Sequence, residues 1–101
     1  MVRRETNGIA YVSSAWPLDK AKPTLIFIHG AGGSHVLWQG QVEGLAGRVN
    51  AVAIDLPGHG DSKGNGMGTI EDYARAVTDF TRAIFDYFII FQDYEVIASI
   101  P

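Results

Sequence analysis

The stretch Thr24-Leu25-Ile26-Phe27-Ile28-His29-Gly30-Ala31-Gly32-Gly33 decides the fold. Its first half is an apolar run without the alternation of a half-solvated strand, which predicts a strand buried on both faces by flanking helices. The glycines that follow permit a tight loop. Ser34 is placed to cap a helix running to about Ala46, and Gly47 to stop it. Within that segment Val36, Leu37, Val42, Leu45 and Ala46 form a one-sided apolar pattern, while Gly40 and Gly44 each weaken a helix by about 1 kcal/mol relative to alanine. Val49 to Ile54 then reads as a second buried strand. Strand, helix, strand in this order implies a right-handed parallel crossover, so the class is α/β.

Upstream, Asn7-Gly8 separates Val2–Thr6 from Ile9–Ser13 and favours the positive-φ turn of a two-stranded hairpin. Trp16-Pro17 through Lys22-Pro23 reads as a surface connection. Downstream, Asp55 to Gly68 is a long polar loop with five glycines and a proline. Thr69-Ile70-Glu71-Asp72 resembles a capping box with Asp in place of the usual Glu. Ile70, Tyr73, Ala74, Val77, Phe80, Ile84 and Phe88 follow at helical spacing, predicting a helix from about Ile70 to Phe88. The same spacing assigns most of Phe80, Phe85, Tyr87, Phe88 and Phe91 to core packing, with Phe85 and Tyr87 off the stripe as an exposed apolar patch. Gln92 to Pro101 has the composition to begin another strand.

Composition narrows the function classes. A hydrophobic fraction of 47% and a charged fraction of 19% describe a chain that folds around a core. The net charge is −3 and the eight Lys and Arg are scattered, so no basic face tracks nucleic-acid phosphates or anionic lipid. With no cysteine, disulfides, zinc-thiolate sites and thiol nucleophiles are excluded. Polar residues follow Met1–Arg4 where an export signal needs an apolar run, and the longest apolar stretch, Tyr87 to Phe91, is far short of the roughly 20 residues of a membrane span. The expectation is a cytoplasmic protein without nucleic-acid or membrane partners.

His29-Gly30-Ala31-Gly32-Gly33 lies at the carboxyl end of a predicted strand, where open α/β sheets bind ligands, and offers backbone N–H groups there. Asp55-Leu56-Pro57-Gly58-His59-Gly60-Asp61-Ser62 ends the next strand. Together, in this order and separation, the two motifs resemble the α/β-hydrolase superfamily, particularly its small esterases and lactonases, over roughly residues 24–83. The resemblance implies a partial α/β-hydrolase fold and a serine-type hydrolase of esters, thioesters or lactones, with a small ester-like substrate and no cofactor. It places one oxyanion N–H on Ala31, with Gly32 as the neighbouring candidate, and sets Trp38 near the pocket. It makes His29 a brace for the loop and Asp55, Pro57, Gly58, His59, Gly60 and Ser62 a loop-shaping motif.

The family's remaining parts, a G-x-S-x-G elbow, an acid and a histidine, follow later in its order. Here no histidine follows His59, so no complete catalytic set is expected. Gly60-Asp61-Ser62-Lys63-Gly64 matches the elbow's letters but has loops on both sides. Ser99 follows a candidate strand, yet Ile97 and Pro101 occupy its glycine positions. Both serines are therefore expected to be non-catalytic, and His35 to be exposed in a first helical turn. No two histidines pair at i, i+4, so no metal site is expected. The chain reads as one truncated domain, with a family-like core at 24–83 and an atypical tail at 84–101, inactive as an isolated fragment and prone to self-association through its apolar tail. Two other readings stand beside it. One is a nucleotide-binding module, from Gly30-Ala31-Gly32 after a strand and Asp55 at the ribose position, although His35 occupies the third glycine's place. The other is a non-catalytic fragment, either a truncated or frame-shifted product or half of a site completed by another chain.

Overall fold

The computed structural model describes residues 1–84 and the backbone of residues 88–92 and 95–99. One mixed sheet contains β1 (Val2–Thr6), β2 (Ile9–Ser13), β3 (Thr24–Ile28), β4 (Asn50–Ile54), β5 (Phe88–Gln92) and β6 (Glu95–Ser99), in the spatial order β1-β2-β4-β3-β5-β6. Asn7 and Gly8, at φ 53° and 80°, supply the two left-handed residues that turn β1 back onto β2. β3 and β4 are parallel, with Ile26 opposite Val52, and β2 runs antiparallel to β4 on its other side.

The apolar strands conceal a division of labour between the sheet's two faces. Ile9, Tyr11, Ile26, Ile28, Val52 and Ile54 point to one side, where they meet Val77 and Phe80 of helix α2 (Ile70–Ile84). Phe80 is fully buried edge-on against Tyr11, at 5.0 Å between ring centroids, and burial of such a side chain contributes about 1.5–3 kcal/mol. Val12, Phe27, Ala51 and Ala53 point to the other side. The two alanines leave room for Trp38, which packs on Phe27 at 5.0 Å, and for Val42 of helix α1 (Gln39–Gly44). Thr69 caps α2 as its sequence suggests, its Oγ1 accepting the Asp72 N–H at 3.1 Å.

Three expectations about the elements change. The helix expected from Ser34 to Ala46 is broken into a 3-10 turn (His35–Trp38) and the short α1, consistent with the weakening effect of Gly40 and Gly44. Gly47, at φ 84°, follows the helix end. The second helix spans Ile70–Ile84 among the described residues and does not include Phe88. Phe88 opens β5, which lies parallel to β3 with Leu25 opposite Ile89. Helical spacing from Phe80 through Ile84 to Phe88 is overridden there by backbone pairing along the edge of β3. Finally, the tail forms two strands, β6 pairing antiparallel with β5. Phe85 and Tyr87 lie outside the described residues, as do the side chains on which tail-mediated self-association depends. No helix among the described residues is long and apolar enough to cross a membrane.

Candidate functional site

The carboxyl ends of the parallel strands β3 and β4 deliver two loops to the same edge of the sheet, as the topology requires. His29 leaves β3 fully buried. Its Nδ1–H donates to the Gly30 carbonyl at 2.7 Å and its Nε2 accepts the Leu56 N–H at 3.0 Å, which fixes the tautomer and ties the first loop to the second. Gly33 N–H turns back to the Gly30 carbonyl at 3.0 Å. Gly32, at φ 80°, directs its N–H to His59 Nε2 at 3.1 Å. Ala31 is exposed, and its N–H has no hydrogen-bond partner among the described residues.

The second loop is organised around Asp55, which is fully buried at the end of β4. Its carboxylate accepts the His35 N–H at 2.6 Å, the His35 Nδ1–H at 3.0 Å to each oxygen, and the Asp61 N–H at 2.9 Å. Burial by itself raises the Asp55 pKa. The Asp61 and His35 N–H groups, then the His35 imidazole through its hydrogen bond and its charge, outweigh that effect and hold the pKa below the ordinary 3.8. Gly60 is required beside this carboxylate, because a Cβ at its φ of 49° would overlap the Asp55 side chain. Gly58, at φ 75°, likewise passes where a Cβ would overlap the Asn65–Gly66 backbone. Ser62 Oγ accepts the Ala10 N–H at 2.8 Å and donates to the Asp55 carbonyl, bridging β2 to the loop. Lys63 N–H reaches the Gly8 carbonyl at 3.0 Å, and the ion pairs Arg3–Asp61 and Glu5–Lys63 close the rim.

His35 corrects an expectation. It is 5% exposed and joins its backbone and ring to Asp55, twenty residues away, where a solvent-exposed role in a helical turn was expected. An Asp at a strand end with a His at the start of the following helical turn of the neighbouring unit is the signal that could have found this pair. Trp38, placed near the pocket by sequence, is 8% exposed within the core, with its Nε1 buried and lacking a partner among the described residues. Ser62 is held by loop hydrogen bonds and does not stand on a strand-turn-helix elbow, and Ser99 is the last residue of β6, which pairs antiparallel with β5. His35, Asp55 and Asp61 bring candidate ligand atoms within 4.8 Å of one another, but these groups are engaged with each other's N–H groups and with Arg3. The nucleotide reading needs the Asp55 carboxylate facing a ribose; here it is enclosed by His35 and Asp61. A groove of about 290 Å³ between Met67-Gly68 and the Asp72, Arg75, Ala76 and Asp79 side of α2 contains none of these residues.

The family profile described as Alpha/beta hydrolase family matches residues 25–98. Over 46 residues the sequence is 46% identical to the dihydrolipoyllysine-residue acetyltransferase component of the acetoin cleaving system of Cupriavidus necator, covering 46% of this chain and 12% of that protein. Among solved structures, a membrane phospholipase A described as a bacterial virulence factor superposes with a TM-score of 0.75 at 28% identity, covering 90% of this chain and 30% of that one. The thioesterase domain from the curacin biosynthetic pathway superposes with a TM-score of 0.66 at 22% identity, covering 90% and 34%. The chain thus spans about a third of the length of these structures.

Proposed function

Because the chain belongs to the alpha/beta hydrolase family, we propose that it supplies the oxyanion-loop half of a serine-type site for esters, thioesters or lactones, and that nucleophile, acid and base come from residues outside it. The observation that carries the reading is the Ala31 N–H, exposed at the carboxyl end of β3 and free of a partner among the described residues, in a loop fastened on both sides. When a nucleophile attacks an acyl carbon, the carbonyl oxygen gains negative charge. A donor already fixed at that point stabilises the charge without reorganising. The name of the phospholipase A relative fits ester chemistry. A cytoplasmic setting fits the cysteine-free composition and is proposed with it.

The test is a chimera in which residues 1–84 replace the corresponding region of a family esterase that keeps its own elbow and histidine. Hydrolysis of p-nitrophenyl acetate is expected to persist. Ala31→Pro, which deletes the N–H, is expected to lower kcat by about 10²–10³-fold, the usual cost of one oxyanion donor. An Ala31→Pro chimera of unchanged kcat would overturn the assignment. The 101-residue chain itself is expected to show neither turnover nor labelling by a fluorophosphonate probe, and turnover abolished by Ser62→Ala would refute that half of the proposal.

A further inference from the structure

We propose that His59 is a positioning residue that decides which amide of the His29–Gly33 loop is available to substrate, an inference that rests on the oxyanion reading above. The resemblance offers two neighbouring N–H groups, on Ala31 and Gly32. In the structure they differ: Gly32 N–H is occupied by His59 Nε2 at 3.1 Å, and Ala31 N–H has no partner among the described residues.

The chemistry of the imidazole makes this assignment directional. His59 Nδ1 lies 3.1 Å from the Pro57 carbonyl, which can only accept, so Nδ1 carries the proton. Nε2 of the neutral ring then presents a lone pair, and a backbone N–H can only donate to it. Both ends of the ring therefore select the same tautomer. The ring is also held in place by its neighbours, with the His29 ring at 5.0 Å and the Tyr73 ring at 6.1 Å between centroids. Gly58 and Gly60, both at positive φ, carry the chain on either side of His59 in a path that brings the ring back over the first loop. A residue of the second loop thus closes off one donor of the first and pins the left-handed Gly32 in place. The motif that reads as a structural landmark reaches the candidate chemistry through this ring.

Amide hydrogen exchange and ring ¹⁵N spectra of the 101-residue chain test the inference without any substrate. In the wild-type protein, Gly32 is expected to exchange about 10-fold more slowly than Ala31, the factor set by one net hydrogen bond. The His59 ring is expected to show the Nδ1–H tautomer. His59→Ala is expected to remove the difference between the two amides, and His59→Gln, which restores an acceptor, to recover part of it. A wild-type ring in the Nε2–H tautomer, or a Gly32 amide exchanging as fast as Ala31, would overturn the role of His59 while leaving the hydrolase reading intact. The ring spectrum needs no variant, so it decides even where His59→Ala does not fold. An Ala31→Pro chimera of unchanged kcat would instead sink the oxyanion reading and leave these amide results standing.

Discussion

The loops that leave β3 and β4 draw on the same residue types, glycines and histidines, and use them in opposite ways. The first, residues 29–33, is fastened at its two flanks and leaves an exposed backbone donor at Ala31 between them. The second, residues 55–63, turns its polar groups inward: Asp55 collects N–H groups from His35 and Asp61, and Ser62 joins β2 to the strand end. The first loop keeps one amide without a partner among the described residues, while the second is braced within itself and against β2, the hairpin turn and the first loop. A loop of glycines is flexible if isolated, and here residues outside it, Leu56 and His59, hold it in place.

Asp55→Ala should disturb this contrast most. It removes the acceptor of the buried His35 donors and of the Asp61 N–H, and a loss of about 3–5 kcal/mol is expected in denaturant unfolding. The same carboxylate gives a pH signature. Its folded pKa lies below the unfolded value, so its stabilising contribution is complete above that unfolded value and is lost as pH falls through the folded one, below 3.8. Urea midpoints should therefore drop on acidification into that range, and more steeply in the wild type than in Asp55→Ala. Ser62→Ala should be milder, about 1–2 kcal/mol, since it leaves Ala10 N–H without its acceptor while the carboxylate cluster survives. Gly32→Ala belongs to the open loop. Its Cβ meets no atom within 4 Å, so only the φ of 80° opposes it, at a cost of about 1 kcal/mol. If Gly32→Ala proved costlier than Ser62→Ala, the division between an open and a braced loop would be wrong.

The strands at the centre, the Asn7-Gly8 hairpin and the start of α2 were legible because each is written locally: an unbroken apolar run, a turn dipeptide, a cap followed by helical spacing. The two loop motifs were legible by their letters. What stayed hidden is non-local. His35 looks like any polar residue at the start of a turn until Asp55 is brought beside it by the pairing of β3 with β4. Phe88 keeps the helical stripe of α2, and only the edge of β3 makes it a strand residue. The acceptor of the Gly32 N–H lies on a ring 27 residues further along the chain. The size difference between the two sheet faces, with alanines set against Trp38, is likewise invisible in strands that read as uniformly apolar.

The bridge from Ala10 to Ser62 joins residues 52 apart, and the contacts of residues 3 and 8 with 61 and 63 are equally remote. Closing so long a stretch of chain for a few hydrogen bonds is entropically unfavourable until β2 has docked on β4. The expected order of assembly is therefore β3, α1 and β4 first, the hairpin next and the clasp between hairpin and loop last. Ser62→Ala should then speed unfolding and leave the folding rate nearly unchanged in stopped-flow measurements. In temporal terms, the seam between the hairpin and the second loop is expected to be the final part to set and the earliest to release.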